Sequence, residues 1–164
     1  MKLKLLSRQA KVRIYQTIVR PIVCYVSETW TLTKRTEKRL ITFENKVLRR
    51  IYGPICENRQ WRIRKNRELR QLYTSTDIVA CVRTNRLRWY GHVMRRSPET
   101  TIKAALEGNV EGTRPLGRPR TRWRDNSRRD MAILGLGDGD AANRERWKAG
   151  MSEAKDRLRF VWLA

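Results

Sequence analysis

Apolar residues recur at spacings of three and four through nearly the whole of this 164-residue chain. That spacing is the period of an α-helix, and no segment alternates apolar and polar residues for long enough to predict a strand. The sequence therefore predicts an all-α protein: a helical hairpin followed by further amphipathic helices, which basic Gly- and Pro-containing linkers join.

The helical hairpin is predicted over residues 1–53. Ser7 is a suitable N-cap for its first helix, and Pro21 lies inside that helix, where it is expected to kink or split it. The second helix is predicted to begin near Thr33 and to end at Gly53, because Gly accepts the left-handed cap conformation and the Pro that follows cannot continue a helix.

Three further segments are predicted after the hairpin. Residues 54–107 form a basic helical extension, and residues 108–120, which carry Gly and Pro at short intervals, form a linker. Residues 121–164 form C-terminal helices. Helices in these segments are expected to begin near Asn66, Thr76, Thr100, Trp123 and Asn143. The apolar stripe of the last helix contains Trp147, Met151, Ala154 and Leu158.

The charge of the chain constrains its partners. Lys and Arg number 38 against 16 Asp and Glu, a formal net charge of +22. Such a chain gains from a polyanion, whose condensed counterions are released when Arg and Lys bind. Because Arg outnumbers Lys, bidentate contacts to phosphate and stacking on bases are favoured. Nucleic acid, RNA or DNA, is therefore the expected partner, with salt-sensitive binding.

Other partner classes are less favoured. An acidic protein and a membrane surface are the alternatives, but no membrane is expected as a partner, since no apolar run reaches the roughly 20 residues of a bilayer span. Three widely spaced cysteines and a single His predict reduced thiols and no metal site. An intracellular protein, nuclear or cytoplasmic, is expected. The basic first 20 residues also suit a mitochondrial transit peptide, although a folded helix explains them better.

Residues 85–96 combine Arg, Trp, Tyr and the single His of the chain with no acidic residue. On a helix, Trp89 and Val93 lie on an apolar face, and the cations lie on the opposite face. Gly91 is expected to bend or end this helix. A solvated basic face is the alternative to a nucleic-acid contact. The candidate nucleic-acid ligands in this block are Arg86, Arg88, His92, Arg95 and Arg96.

A second basic stretch covers residues 117–124, where a Gly-Arg-Pro segment precedes an aromatic residue. Such a segment suits an A·T-rich minor groove, and a linker that contacts phosphates without base selectivity is the alternative. Residues 61–65 repeat the combination of Trp with basic residues. Trp89, Trp123 and Trp147 are expected to be core anchors. The candidate ligands of the second stretch are Arg118, Arg120, Arg122 and Arg124.

The sequence lacks the residues of a self-sufficient enzyme. Copying or cutting nucleic acid usually needs carboxylates that hold two metal ions, and the one close acidic pair, Asp138 and Asp140, is expected to form a turn. There is no phosphate-binding Gly-rich loop, and no nucleophile has a recognisable base beside it. No catalytic residue and no cofactor are therefore expected.

Four blocks form a specific pattern when taken together. Residues 25–34 (YVSETWTLTK) resemble a YGSETWTLTK element, and residues 43–54 (FENKVLRRIYGP) resemble a FERKVLRRIYGP helix. Residues 85–93 match NRLRWxGHV, and residues 117–125 match GRPRxRWxD. In this order, the blocks resemble the C-terminal part of the non-LTR (LINE-type) retrotransposon endonuclease-reverse transcriptases.

The resemblance implies thumb-like helices that follow a palm domain, with a basic extension beyond them. The metal-binding aspartates of the family lie upstream and have no counterpart here, so Mg²⁺ would serve only the intact parent enzyme, and the absent palm is an implied partner. Val26 stands where the family has Gly, which is expected to disturb a close backbone approach. After Asp140 the match loosens.

The sequence leaves two alternatives to a nucleic-acid-binding fragment of a polymerase. One is a nonfunctional, marginally folded relic of a decayed retroelement. The other is a host-recruited DNA-binding module that uses the Gly-Arg-Pro segment.

Overall fold

The computed structural model describes residues 6–108, 112, 117 and 121–160. The predicted all-α class is confirmed, with one short hairpin added. The helices are α1 (Arg8–Ile14), a π-helical segment (Tyr15–Val19), α2 (Arg20–Val23), a 3-10 turn (Ser27–Thr29), α3 (Lys34–Tyr52), α4 (Asn66–Leu72), α5 (Ile78–Met94), α6 (Thr101–Glu107), α7 (Trp123–Leu134), a 3-10 turn (Asp138–Ala141) and α8 (Arg144–Phe160). The strands are β1 (Ile55–Glu57) and β2 (Gln60–Arg62).

The N-terminal helix begins where the sequence predicts, and it changes type before Pro21. The hydroxyl of Ser7 accepts a hydrogen bond from the Ala10 N–H at 3.1 Å, so Ser7 is the N-cap. The π-helical segment follows α1, and the Arg20 N–H reaches back five residues to the Tyr15 carbonyl. Pro21 has no N–H to offer the preceding turn, which therefore takes up one extra residue and becomes a π-helix rather than a simple kink.

The second helix of the predicted hairpin is also confirmed. It is α3, and Gly53 follows it with a φ of +72°. The Gly53 N–H donates to the Arg49 carbonyl at 2.9 Å, which closes the last turn. A left-handed Gly followed by Pro54 ends the helix for the expected reason.

The antiparallel hairpin β1–β2 was not predicted. Ile55 pairs with Arg62, and the connection is the two-residue turn Asn58–Arg59. Both turn residues have positive φ, 51° and 61°, as a type I′ turn requires. Strands of three residues are too short to show an alternating pattern in sequence, so the helical period assigned this segment wrongly.

The chain forms two compact units. The first contains residues up to Tyr25 and Lys34–Val79; the second contains Val26–Thr33 and the residues from Ala80 onward. These units combine residues differently from the four predicted segments, and most of the predicted linker 108–120 lies outside the described residues. Among the described residues, no helix combines the length and the apolar character that crossing a membrane requires.

Each unit has its own buried apolar cluster. In the first unit, the cluster contains Tyr15 of the π-helical segment, Leu48 of α3, Leu69 of α4 and Tyr73 just after α4, and Val12 of α1 packs against it. In the second unit, α5, α7 and α8 supply most of the core. That core contains Leu87, Tyr90, Met131, Leu134, Trp147, Met151, Ala154 and Leu158. The predicted apolar stripe of the last helix is therefore confirmed.

Gly91 neither bends nor ends α5, which runs on to Met94. The position lies against the indole of Trp147, and a Cβ built on Gly91 would come within 2.7 Å of Cε2 of that ring. The glycine is thus present because two elements approach closely, not because the helix stops.

Candidate nucleic-acid interface

From residue 85 onward, helix α5 separates its apolar and cationic residues as the sequence predicts, with two exceptions. Leu87, Tyr90 and Val93 are at most 2% exposed, whereas Arg88 and His92 are exposed. The exceptions are Arg86, which is buried, and Trp89, which is half-buried at the surface.

Arg86 is an internal residue, so its predicted role as a nucleic-acid ligand is wrong. Its side chain is 1% exposed and forms an ion pair with Asp130 of α7, whose side chain is 2% exposed. Arg86 also donates to the carbonyl of Trp30 at 3.3 Å, and Arg83 lies 3.7 Å from the same carboxylate. A buried guanidinium needs such a partner, and a phosphate at the surface could not reach it.

Exposed basic side chains along the end of α5 and just after it form a ridge, which we define as Arg88, His92, Arg95 and Arg96. The guanidinium of Arg96 donates to Nε2 of His92 at 3.3 Å, and Arg95 donates to the carbonyl of Ala141 at 2.9 Å. None of the four pairs with a carboxylate among the described residues. The positive charge of the three Arg side chains is therefore not neutralised by a carboxylate of the described residues.

Lys103 of α6 adds a cation at the C-terminal end of α5. Its Nζ lies 3.3 Å from the carbonyls of Met94 and Arg96, so it satisfies acceptors that the end of a helix leaves open. The ridge thus continues beyond the last turn of the helix.

Two carboxylates of the second unit, those of Asp138 and Asp140, are paired away from the ridge. Asp138 accepts from the Tyr90 hydroxyl at 2.5 Å and from Arg128 at 3.2 Å, and Arg146 lies 2.7 Å from Asp140. The hydrogen bond from Tyr90 lowers the pKa of Asp138, and burial raises the pKa of Tyr90 to about 12. Residues 138–141 form a 3-10 turn, as the expected turn at this acidic pair implies.

No group of three or more His, Cys, Asp and Glu side chains in the described part of the chain is close enough to hold a metal ion.

The second predicted stretch is only partly described. Arg118 and Arg120 lie outside the described residues. The backbone N–H of Arg122 donates to Asp125 at 3.0 Å, which caps α7, and the side chain of Arg122 is exposed. Arg124 is half-buried and lies 4.0 Å from Asp138, so its charge is partly compensated within the unit.

In the first unit, Arg62 of the β1–β2 hairpin is also paired with carboxylates of the chain. Arg62 donates to Glu57 at 2.5 Å and to both oxygens of Glu68, at 2.6 and 3.0 Å. Glu68 also accepts from the Lys65 N–H at 2.8 Å, and the hydrogen bonds from Arg62 and Lys65 lower the pKa of Glu68 to about 2, with Arg62 the larger cause. Trp61 is 73% exposed beside them.

The three tryptophans expected in the core divide into two classes. Trp147 is 4% exposed, and Trp123 packs half-buried against the core of the second unit while its Nε1 donates to the carbonyl of Glu28 at 2.6 Å. Trp89 instead stacks on His92, with ring centroids 5.4 Å apart and an interplanar angle of 26°. Trp89 therefore belongs to the surface of the ridge.

A shallow depression of about 380 Å³ lies beside the ridge. Its lining is Glu28, Asn85, Arg88, Trp89 and His92. Sequence reasoning did not select Glu28 or Asn85. Asn85 is the first residue of the recognised block, so position alone could have suggested it, but Glu28 is distant in sequence and only folding brings it to α5.

Comparison with known proteins gives one relative. No protein-family model and no solved structure matches the chain. It is 27% identical over 158 residues to a Caenorhabditis elegans protein named as uncharacterized and transposon-derived, an alignment that covers 96% of this chain and 54% of that protein. The chain thus spans about half the length of this relative. The similarity supports an origin in a transposable element.

Proposed function

We propose that this chain is a non-catalytic nucleic-acid-binding part of a retrotransposon RNA-directed DNA polymerase, which contacts the template–primer through basic helices. The observation that carries the proposal is the ridge at the end of α5. Its three Arg side chains and one His side chain are exposed and have no carboxylate partner among the described residues. A phosphate backbone is the polyanion that such a row fits, because each contact releases condensed counterions.

Two further observations support the same partner. The net charge of +22 favours association with a polyanion along the whole chain. The similarity to a transposon-derived protein agrees with the resemblance of the four sequence blocks to retrotransposon reverse transcriptases. In the parent enzyme, a palm domain outside this chain would hold the metal ions and the catalytic carboxylates.

The slope of binding against salt tests the ridge. We expect fluorescence anisotropy with a labelled RNA–DNA hybrid to show affinity that falls linearly with log salt between 50 and 200 mM KCl. The double variant Arg88→Gln/Arg96→Gln should make this slope shallower by about 1.8, since each phosphate contact contributes about 0.9.

Arg146→Gln is the matched control. Arg146 is also an exposed Arg of the second unit, but Asp140 already neutralises it at 2.7 Å. We expect the control to leave the slope nearly unchanged. An equal effect of both variants would mean that binding follows net charge alone, and it would contradict the ridge as the site.

The non-catalytic half of the proposal has its own test. The purified chain should give no primer extension with template–primer, dNTPs and Mg²⁺, because it lacks the paired carboxylates that two-metal chemistry needs. Measurable extension would overturn that half while leaving the binding result intact.

A further inference from the structure

We infer that the depression beside the ridge binds an unpaired guanine of a single-stranded nucleic acid. The inference rests on the proposed function and deepens it, because it assigns a base to a surface that otherwise contacts only phosphates. The side chains that line the depression are Glu28, Asn85, Arg88, Trp89 and His92.

The first element of such a site is an aromatic surface. Trp89 and His92, one helical turn apart on α5, already stack on each other at 5.4 Å. Trp89 is half-buried, so its ring is held in place, and His92 is exposed. A held aromatic surface at the edge of a cationic ridge suits stacking of a base that is not paired in a duplex.

The second element is a carboxylate, which a plain phosphate-binding surface would not contain. The Glu28 side chain repels phosphate, yet it lies in the same depression as Arg88 and has no ion-pair partner among the described residues. Its backbone is anchored, since the Glu28 carbonyl accepts from Trp123 Nε1 at 2.6 Å. A carboxylate that no cation neutralises is an acceptor for N–H donors of a ligand.

The third element is the amide of Asn85. It is half-buried on α5 and makes no side-chain hydrogen bond within the described part of the chain. An amide offers both a donor and an acceptor, so it can complete the recognition of a base edge that carries both.

The donor pattern selects guanine. Guanine presents two neighbouring donors, N1–H and the N2 amine, which both oxygens of one carboxylate can accept, beside the O6 acceptor that an amide can reach. Adenine and cytosine each offer one amine, and uracil offers one N–H between two carbonyls that would repel the carboxylate. These donors are used in base pairing, so the guanine must be unpaired.

The ridge explains why the base would belong to a strand. Arg88 lines the depression, and Arg95 and Arg96 are exposed immediately after the last residue of α5. Phosphates that flank a bound base are thus within reach of cations, whereas a free nucleotide carries only its own phosphates.

Single-stranded decamers that differ at one position test the assignment. Fluorescence anisotropy would compare labelled decauridylate with decamers that carry one central guanosine, inosine, adenosine or cytidine. We expect the guanosine decamer to bind about tenfold more tightly than the decauridylate. Inosine, which lacks the N2 amine, should lose most of that advantage.

Glu28→Gln gives the matched variant. It should reduce the guanosine preference to less than about twofold and bind decauridylate slightly more tightly, because it removes a negative charge. A folding defect would weaken both. Glu99→Gln, the same change at an exposed acidic residue outside the depression, should keep the tenfold preference.

The outcomes separate the inference from the proposed function. Equal, salt-sensitive binding of all five decamers would overturn the guanine site and leave the ridge proposal standing. No binding of any decamer or of the hybrid would overturn both. Guanosine monophosphate should bind at least about 100-fold more weakly than the guanosine decamer; equal affinity would overturn the assignment to a strand.

Discussion

Val26 carries local backbone strain. It has φ 55° and ψ 18°, the left-handed conformation that a β-branched residue rarely adopts. Its carbonyl accepts from both the N–H and the hydroxyl of Thr29, at 3.3 and 2.9 Å, which holds the conformation in place. The family element that the segment resembles has Gly here, and the structure shows that the difference concerns backbone conformation rather than the close approach expected from sequence.

Replacing Val26 with Gly should stabilise the protein. A left-handed L-residue costs about 1–2 kcal/mol, and Gly avoids that cost while losing part of the gain to its freedom in the unfolded chain. We expect Val26→Gly to add about 1 kcal/mol and to raise Tm by about 2–4 °C. Val26→Ala, which keeps the Cβ, should gain less. A lower Tm for Val26→Gly than for Val26→Ala would disagree with the strain.

Glu44 of α3 is a buried acid in the first unit. It is 5% exposed, and it accepts hydrogen bonds from the Tyr15 hydroxyl at 2.8 Å and from the Ile78 N–H at 3.1 Å. Burial raises the pKa of Glu44 to about 7, with Asp77 adding to the rise, while the two hydrogen bonds and Arg20 oppose it. Burial also raises the pKa of Tyr15.

This pKa predicts how stability depends on pH. Between the ordinary value of 4.5 and about 7, the folded chain keeps a proton that the unfolded chain releases. The contribution of Glu44 to the free energy of unfolding should therefore be fully present below pH 4.5 and fall by about 3 kcal/mol as the pH rises through 7.

Glu44→Gln should remove that slope, because an amide does not titrate in this range. The variant should keep the fold, since its amide can donate to Tyr15 while its oxygen accepts from Ile78. Urea denaturation from pH 4.5 to 7.5 measures it. Glu68 has a lowered pKa, so its contribution to the free energy of unfolding is lost only as the pH falls below this window. Identical pH profiles for Glu44→Gln and the unchanged protein would refute the assignment.

At the scale of elements, α8 packs closely on α5 because Gly91 of α5 has no side chain. Trp147 is 4% exposed, and its indole occupies the space where a Cβ of Gly91 would lie. Helix propensity alone predicts that Ala at Gly91 would stabilise α5 by about 1 kcal/mol. The contact reverses the sign, because a buried indole cannot move aside.

We therefore expect Gly91→Ala to destabilise the protein by about 2–3 kcal/mol in urea denaturation. Gly139 offers the control: nothing lies within 4 Å of a Cβ built there, and Gly139→Ala should be nearly neutral. If Gly91→Ala were as stable as the unchanged protein, the close approach of the two helices would be in error.

Helices α7 and α5 are linked by a buried ion pair. Asp130 pairs with Arg86 and lies 3.7 Å from Arg83, so Asp130→Ala leaves guanidinium groups in the interior without this carboxylate. We expect a loss of about 3–5 kcal/mol in urea denaturation. The double variant Arg86→Met/Asp130→Leu should lose less, since an apolar pair replaces the Arg86–Asp130 ion pair and only Arg83 then lacks this carboxylate.

The same double variant tests the internal role of Arg86. It should keep the unchanged protein's salt slope with the RNA–DNA hybrid, because Arg86 does not reach the surface. A slope as shallow as that of Arg88→Gln/Arg96→Gln would mean that Arg86 contributes to the binding surface.

At the scale of the whole molecule, each unit encloses an apolar cluster of its own. A marginally folded relic would lack such clusters or would lose them gradually on heating. We expect the helical circular-dichroism signal to be lost in a sigmoidal manner, with Gly91→Ala lowering the midpoint of the second unit. A gradual, non-sigmoidal loss of helix in the unchanged protein would favour the relic instead.

Helix positions were predictable because they depend on local patterns. The cap at Ser7, the stop at Gly53 and the stripe on α8 all follow from residues within a few positions of one another. The β1–β2 hairpin was missed because its strands of three residues carry too little pattern. Half of the second basic stretch remains a prediction, since Arg118 and Arg120 lie outside the described residues.

The sequence by itself determined the helical architecture and the strong positive charge, because composition and period act locally or sum over the chain. Only the tertiary structure decided which cations are available. Arg86 and Arg88 are two positions apart on one helix, yet Asp130 holds the first in the interior and leaves the second beside Glu28 in the depression. Burial and pairing depend on partners that are distant in sequence, and no local pattern carries that information.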